Sequence, residues 1–305
     1  MDVLCCIWYV SAHSCVHGCC IDRVTTSPFV HKDVGMRPAA PYPLPCPVVV
    51  GTLLTAISAA SAAVDRPLCT LRRQHSTHNS LDWRKDAMRS VRDECERAAS
   101  TRAYDCGDRD VYEFGVYGGK SIKSLLFYFN CSGIPLRRFW AFDSFRGLPD
   151  EDRRNFSAGV ERMYGSGQYS AAAALKRTGQ PLLDRIELYV GRDRMRHYGV
   201  QWISGFYNES LTPSLQRERA MRPALYVDID ADLYTSTTQA LEWLVANGLI
   251  VSGTIIGYDD WSVSDRANGG EKRAHEEVIE QRLGRRYKVS RTEGCGPNAA
   301  CFRIT

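Results

Sequence analysis

The chain has 305 residues, of which 39 are lysine or arginine and 35 are aspartate or glutamate, giving a formal net charge of +4. The basic residues are dispersed and form no block with interleaved aromatic side chains, which argues against a nucleic-acid-binding surface. With 44% hydrophobic residues, the chain is long and apolar enough to bury a substantial core.

The first 65 residues differ in character from the rest and are predicted to form a disordered leader, which holds six of the twelve cysteines. An uncharged run of apolar and small residues at 48–64 resembles the apolar region of a secretory signal, well placed if translation begins at Met36. The alternative is a membrane anchor, for which the run is at the short limit. We expect the secretory pathway or an organelle if the run is a targeting segment, and the cytoplasm otherwise.

Residues 66–108 are predicted to form a helical N-terminal extension or lid, followed by one catalytic domain at 109–305. The domain opens with a strand at 110–115 and a helix at 120–130, joined by Glu113-Phe-Gly-Val-Tyr-Gly-Gly-Lys120. An acid, glycines and a helix N-terminus form a turn that can receive an adenosyl cofactor, because the glycines admit the ligand and the helix presents free N–H groups. The spacing differs from the G-x-G-x-x-G of NAD proteins, and glycines here can also be purely structural.

A second candidate follows the next predicted strand, at 138–142. Asp143 stands at its carboxyl end, just before Ser144, and ligands of open α/β sheets bind beyond the carboxyl ends of strands. A carboxylate there can accept hydrogen bonds from ribose hydroxyls. Alternatively, Asp143 caps the turn into Phe145. A third strand is predicted at 186–190.

Two later strands each end in a cluster of carboxylates. They are predicted at 225–229 and 254–258, and the acids that follow are Asp230, Asp232, Asp259 and Asp260. Acids in such number repel one another unless a cation or hydrogen-bond donors offset the charge, and hard oxygen ligands suit magnesium. Solvated loop acids are the alternative. Asp228 lies one pleat earlier and is left out of the site.

The remaining elements complete the predicted architecture. Ser236 is expected to cap a helix that ends near Gly248, and a terminal hairpin is expected at 287–304. Such a hairpin is typical of methyltransferases and usually absent from dinucleotide dehydrogenases. The prediction is an α/β, Rossmann-like sheet of seven mostly parallel strands with a C-terminal antiparallel hairpin and helices on both faces.

The cysteines show no spacing of a metal site. In the catalytic part, buried free thiols are expected at Cys106, Cys131, Cys295 and Cys301. A disulfide between Cys295 and Cys301 is the alternative in an oxidising compartment.

Five motifs, in this order, resemble the macrocin/mycinamicin-type O-methyltransferases. They are Glu-Phe-Gly-Val-Tyr-x-Gly-x-Ser at 113–121, Phe-Asp-Ser-Phe-x-Gly-Leu-Pro at 142–149, Gly-Phe-Tyr-Asn-Glu-Ser-Leu at 205–211, Asp-x-Asp-Leu-Tyr at 230–234 and Asp-Asp-Trp at 259–261. The resemblance implies the class I methyltransferase fold. It also implies an S-adenosylmethionine (SAM)-dependent, Mg²⁺-dependent O-methyltransferase acting on a hydroxyl of a small molecule or sugar moiety.

The resemblance and the strand-end positions together give the expected site. Asp230 is expected to act as the catalytic base and, with Asp259 and Asp260, to ligate magnesium. Such an ion would lower the pKa of the acceptor hydroxyl, and a carboxylate would take its proton. The residues expected to bind SAM are Glu113, Gly115, Tyr117, Gly118, Ser121, Asp143 and Ser144.

Two other functions remain open at this stage. One is an NAD(P)-dependent oxidoreductase on a Rossmann-like fold, although the spaced glycine fingerprint is missing. The other is a non-catalytic SAM-binding protein. The expected partner is a hydroxylated small-molecule acceptor and not nucleic acid, with membrane contact only if 48–64 is an uncleaved anchor. A homo-oligomer is left open.

Overall fold

The structure is a computed structural model, which describes residues 83–150, 162–262 and 269–305. The leader at 1–65, with the apolar run at 48–64, lies outside the described residues. In the part of the chain that the structure describes, no helix combines the length and the apolar character needed to cross a bilayer.

Within the described residues, seven strands form one mixed sheet. They are β1 Asp110–Phe114, β2 Phe139–Asp143, β3 Val200–Ser204, β4 Ala224–Ile229, β5 Ile255–Tyr258, β6 Val289–Arg291 and β7 Ala300–Ile304. Their order is β3-β2-β1-β4-β5-β7-β6. Strands β1 to β5 run parallel, and β7 is antiparallel to both β5 and β6. The predicted fold, with its terminal hairpin, is confirmed.

Helices cover both faces of the sheet. They are α1 Arg84–Thr101, α2 Lys120–Ser132, α3 Ala171–Leu175, α4 Gly179–Val190, α5 Arg192–His197, α6 Tyr207–Ser210, α7 Leu215–Glu218, α8 Tyr234–Ala246 and α9 Gly270–Ala274, which continues as a π-helix over His275–Leu283. Alternate residues of a strand point to opposite faces, so Val111 packs with α1, α2 and α4, while Tyr112 packs with α8 and the π-helix. Ser236 is not the cap, because α8 begins after Leu233.

The strand predicted at 186–190 is wrong, because these residues form the end of helix α4. Leu182, Ile186 and Val190 are buried at a spacing of four residues, as one face of a helix requires. Leu188, which a strand would have placed on the same face as Ile186, is 60% exposed. The third strand lies later, at Val200–Ser204, on the edge of the sheet.

The expectation of free thiols is also wrong. Cys295 and Cys301 form a disulfide with a Cα–Cα distance of 5.9 Å, because the terminal hairpin folds the two segments together. A second disulfide joins Cys95 to Cys106, with a Cα–Cα distance of 5.8 Å. It fixes α1 to the chain just before β1. Cys131 is disulfide-bonded as well.

Candidate active site

A cleft of about 1490 Å³ opens beyond the carboxyl ends of β1, β2, β4 and β5. This is where parallel sheets place their ligands. Its volume exceeds the roughly 300–1,000 Å³ of a single small-molecule pocket, so it can hold a cofactor and an acceptor together. Among the residues that line it are Trp83, Arg84, Gly115, Tyr117, Ser121, Asp143, Ser144, Tyr164, Tyr169, Asp230, Asp232, Asp259 and Asp260.

The glycine turn, residues 115–119, forms one wall of the cleft. Gly115 has φ of +94°, and a Cβ there would lie 1.8 Å from the main-chain oxygen of Asp230. Gly119 has φ of +83°, and a Cβ there would lie 2.7 Å from Ile186 of α4. Gly118 is different, because it does not line the cleft and a Cβ there would meet nothing within 4 Å. Close approach of the backbone is thus required at Gly115 and Gly119, and not at Gly118.

Glu113, predicted to contact the cofactor, lies beneath the cleft and does not line it. Its side chain is fully buried, and neither carboxylate oxygen has a hydrogen-bond partner within the described residues. Burial raises the pKa of Glu113 well above its ordinary value, and the neighbouring Asp228 raises it further. Burial therefore favours the protonated form of Glu113, and Arg84 and Ser121 act in the opposite direction.

Asp143 ties the glycine turn to β2. Its Oδ2 accepts from the main-chain N–H of Val116 at 2.7 Å and of Tyr117 at 2.8 Å. Its Oδ1 accepts from the N–H of Phe145, so the capping role that the sequence left open is present. Burial raises the pKa of Asp143, and the three N–H donors partly offset that rise.

Three further residues of the predicted cofactor set line the cleft: Tyr117, Ser121 and Ser144. Tyr117 has a positive φ of 47° and packs edge-to-face with Tyr169, with 6.4 Å between ring centroids. Ser144 donates to the main-chain oxygen of Gly147 at 2.8 Å. Five of the seven predicted cofactor residues therefore line one cleft, and Glu113 and Gly118 do not.

Arg84, at the start of α1, is the centre of the acid cluster, defined as Asp228, Asp230 and Asp259. Its Nη2 donates to Asp228 and to Asp230, at 2.9 Å in each case. Its Nε donates to the second oxygen of Asp228 at 3.0 Å, and its Nη1 lies 3.7 Å from Asp259. The indole N–H of Trp83 also donates to Asp259. One buried guanidinium thus supplies the positive charge to three carboxylates.

The charges of the cluster shift one another's pKa. Desolvation in the cleft raises the pKa of Asp230, Arg84 lowers it and Asp259 raises it again, which leaves it at about 7. Desolvation also raises the pKa of Asp228, against the opposing effect of Arg84. Asp228, left out on sequence grounds, therefore belongs to the cluster. Residues two apart on a strand share a face, so it points to the same side as Asp230.

Asp260 makes contacts that differ from those of the acid cluster. Its Oδ2 accepts from the hydroxyl of Tyr164 at 3.1 Å. Its main-chain N–H donates to Glu271 at 3.0 Å, and the other oxygen of Glu271 accepts from the N–H of Ala231 at 3.2 Å. The buried Glu271 thus joins the loops that follow β4 and β5. Desolvation raises the pKa of Asp260.

The three predicted metal ligands do not surround a single point. Asp230 and Asp259 converge on Arg84, whereas Asp260 contacts Tyr164. Across 83–150, 162–262 and 269–305, no group of three or more histidine, cysteine, aspartate or glutamate side chains is arranged to hold a metal ion.

Sequence reasoning missed Trp83, Arg84 and Glu271. Their segments carry no motif that marks them. For Arg84 a signal does exist, because Asp228 and Asp230 share a strand face and a buried acid on that face needs a cation. That argument requires a cation without saying which one.

The sheet order and the cleft at the strand ends define a class I methyltransferase fold. Two solved structures share it: the O-methyltransferase NovP has a TM-score of 0.50 at 17% identity, covering 72% of this chain and 79% of that one. The calicheamicin methyltransferase CalS11 has a TM-score of 0.51 at 20% identity, covering 82% of this chain and 90% of that one. Identities this low show the fold alone.

The model of the macrocin-O-methyltransferase (TylF) family matches residues 85–282, and the chain belongs to that family. It is also 25% identical over 154 residues to an 8-demethyl-8-(2,3-dimethoxy-α-L-rhamnosyl)-tetracenomycin-C 4'-O-methyltransferase of Streptomyces olivaceus. That alignment covers 50% of this chain and 53% of the relative. The chain therefore spans about half the length of the curated relative that it matches.

Proposed function

We propose that the protein is a SAM-dependent O-methyltransferase that acts on a hydroxyl of a small molecule or sugar moiety. The observation that carries the proposal is the contact between the glycine turn and Asp230 within one cleft. This contact places the glycine turn, which is the proposed cofactor-binding wall of the cleft, next to a carboxylate that can accept a proton. Family membership and the sugar O-methyltransferase named above support it.

The cofactor would be held by the residues of the first two strand ends. These are Gly115, Tyr117, Ser121, Asp143 and Ser144, which all line the cleft. Bound SAM supplies an electrophilic methyl group. The backbone at Gly115 admits no side chain, and the carboxylate of Asp143 is fixed by two N–H groups of the glycine turn. The turn is therefore fixed by contacts within the protein, and such preorganisation reduces the entropic cost of binding.

Asp230 is the proposed catalytic base. A hydroxyl is a poor nucleophile near neutral pH, so a positioned group must take its proton as the methyl group is transferred. The pKa of Asp230 is about 7, which suits a base at that pH. Its side chain is 32% exposed to the cleft, whereas that of Asp228 is fully buried and out of reach of an acceptor.

Magnesium dependence is a finer part of the proposal. The type of donor suits a hard divalent ion, because Asp230, Asp259 and Asp260 offer only carboxylate oxygens at neighbouring strand ends, although Asp260 is turned toward Tyr164 in this structure. Two of them already converge on one positive charge, that of Arg84. A bound ion would supply Lewis-acid activation of the acceptor oxygen.

The test uses the purified full-length protein with methyl-labelled SAM and a panel of glycosides and polyols. We expect transfer of label to at least one acceptor, and calorimetric binding of SAM in preference to NADH. Preferential binding of NADH would overturn the proposal and favour the oxidoreductase alternative. Binding of SAM without transfer to any acceptor would favour the non-catalytic alternative. Assays with EDTA, and with magnesium added back, decide the metal part separately.

A further inference from the structure

We propose that Arg84 is a positioning residue that holds the carboxylate of Asp230 in the orientation in which it accepts a proton. This inference rests on the proposed function of Asp230. Arg84 lies one residue before the segment that matches the family model, 85–282, and in a part of the sequence that carries no motif. Its side chain is only 10% exposed, so it acts through Asp230 and not on the acceptor.

A rigid chain of contacts runs from the core to the base. The hydroxyl of Tyr226 donates a hydrogen bond to Asp228 at 2.9 Å. The Nη2 and Nε of Arg84 donate to the two carboxylate oxygens of Asp228, at 2.9 and 3.0 Å. A two-point contact between guanidinium and carboxylate fixes the plane of both groups. The Nη2 of Arg84 then makes its second contact, to Asp230 at 2.9 Å. The orientation of Asp230 is therefore set from the sheet interior.

The same guanidinium is needed for charge balance. Among the described residues, Arg84 is the only lysine or arginine within ion-pair distance of Asp228, Asp230 or Asp259. Without it, and with no metal ion bound, three carboxylates would share the cleft floor, and repulsion would turn Asp230 away from its neighbours. Lys120 also lines the cleft, but it makes no ion pair with these three acids.

Replacing Arg84 alone gives an ambiguous result. It would leave Asp228 as a buried charge without its partner, which destabilises a fold strongly. The experiment therefore uses Asp228→Asn as the reference protein and compares it with the double variant Arg84→Met/Asp228→Asn. A third protein, Arg84→Lys/Asp228→Asn, has the positive charge that the double variant lacks, but carries it on an ammonium group in place of the planar guanidinium. Arg92→Met, at a half-exposed position of α1, controls for the loss of any arginine from that helix.

We expect the double variant to lose about 10²-fold in kcat relative to Asp228→Asn, since a misplacement of about 1 Å in a catalytic group costs that much. The KM for SAM should change little, because the residues proposed to hold SAM stand at the ends of β1 and β2, whereas Arg84 is on α1 and Asp230 follows β4. Guanidinium ion added to the assay should restore part of kcat in the double variant, and the lysine variant should retain part of it. Crystal structures should show Asp230 rotated in the double variant and unmoved in Arg92→Met.

The inference would be overturned by equal kcat in the double variant and its reference, by no rescue with guanidinium ion, or by an unmoved Asp230 in the crystal. Full activity of the double variant in magnesium would overturn it as well, since the ion alone would then orient the base. Absence of methyl transfer by the wild-type protein is a different outcome. It would refute the proposed function itself.

Discussion

Gly115 and Asp230 lie in direct contact, since a Cβ on Gly115 would stand 1.8 Å from the main-chain oxygen of Asp230. The N–H of Asp230 also donates to the main-chain oxygen of Phe114 at 2.8 Å. The glycine turn after β1 and the base after β4 are therefore positioned relative to each other by backbone atoms. A shift of the backbone at one of them moves the other, whereas a change confined to the Asp230 side chain need not.

Gly115→Ala should lower the free energy of unfolding by about 1–3 kcal/mol or more, because it forces a side chain into a positive-φ conformation and against backbone. Gly118→Ala is the matched control in the same turn. It meets open space and should stay within about 0.5 kcal/mol of wild type. Chemical denaturation of both variants checks the difference. Equal stability of the two would contradict the backbone contact.

Asp230→Asn should reduce kcat by about 10²-fold or more, the usual cost of removing a positioned base. The affinity for SAM should be nearly unchanged, because the proposed cofactor wall consists of residues from β1 and β2. Calorimetry with SAM and steady-state kinetics measure the two effects separately. Asp193→Asn, at an exposed position on α5, is the control for loss of a carboxylate. Wild-type kcat in Asp230→Asn would rule out the base.

Asp143→Asn should weaken SAM binding by about tenfold, because losing one charge-assisted hydrogen bond costs roughly 1.5 kcal/mol. The variant replaces an anion that accepts two N–H groups of the glycine turn. Calorimetry should show the weaker binding, while kcat at saturating SAM changes less. Unaltered SAM affinity together with lowered thermal stability would mean that Asp143 acts only as a turn cap.

His275 should make the protein acid-sensitive independently of the active site. It is fully buried, accepts or donates at Nδ1 to the hydroxyl of Tyr258 at 2.8 Å, and burial lowers its pKa from 6.5 to about 3. Between those two values the unfolded chain binds a proton that the folded one does not. Stability therefore falls as the pH falls through this window, by up to about 1.4 kcal/mol per pH unit.

His275→Phe should flatten that part of the curve. The variant loses the bond to Tyr258 and should start from lower stability at pH 8, yet decline less steeply between pH 6.5 and about 3. Denaturation at a series of pH values compares the two slopes. Parallel curves for the two proteins would show that His275 does not control the acid response.

The fold could be predicted wherever one hydrophobic pattern excludes the others. Strands β1, β2, β4 and β5 are short apolar runs with acids at or near their carboxyl ends. Their predicted bounds agree with the structure to within a residue or two. The strand prediction for 186–190 is wrong because the apolar residues of this segment alternate as in a strand and also fit one face of a helix. The true β3 was missed because it is an edge strand whose Gln201 and Ser204 are exposed, so little of it appears hydrophobic.

The site could be predicted from local motifs but not from distant partners. Gly115, Asp143 and Asp230 stand at the carboxyl ends of strands, and the rule that ligands bind there places them together. Arg84 is 144 residues from Asp228 in the chain, so no local pattern pairs them. The same limit applies to the magnesium prediction. Strand-end acids indicate that a positive charge is required, and they do not say whether a metal ion or a guanidinium supplies it.

The position of Arg84 in the chain bears on where the domain begins. A fragment starting at 109 would keep every strand of the sheet and every acid of the cleft. It would nevertheless bury Asp228 without the guanidinium that balances it, and it would lose Cys95, the partner of Cys106. During synthesis, Arg84 is complete long before β4 emerges, so α1 gains its ionic contacts only when the second half of the sheet forms. We therefore expect the smallest independently stable unit to include α1.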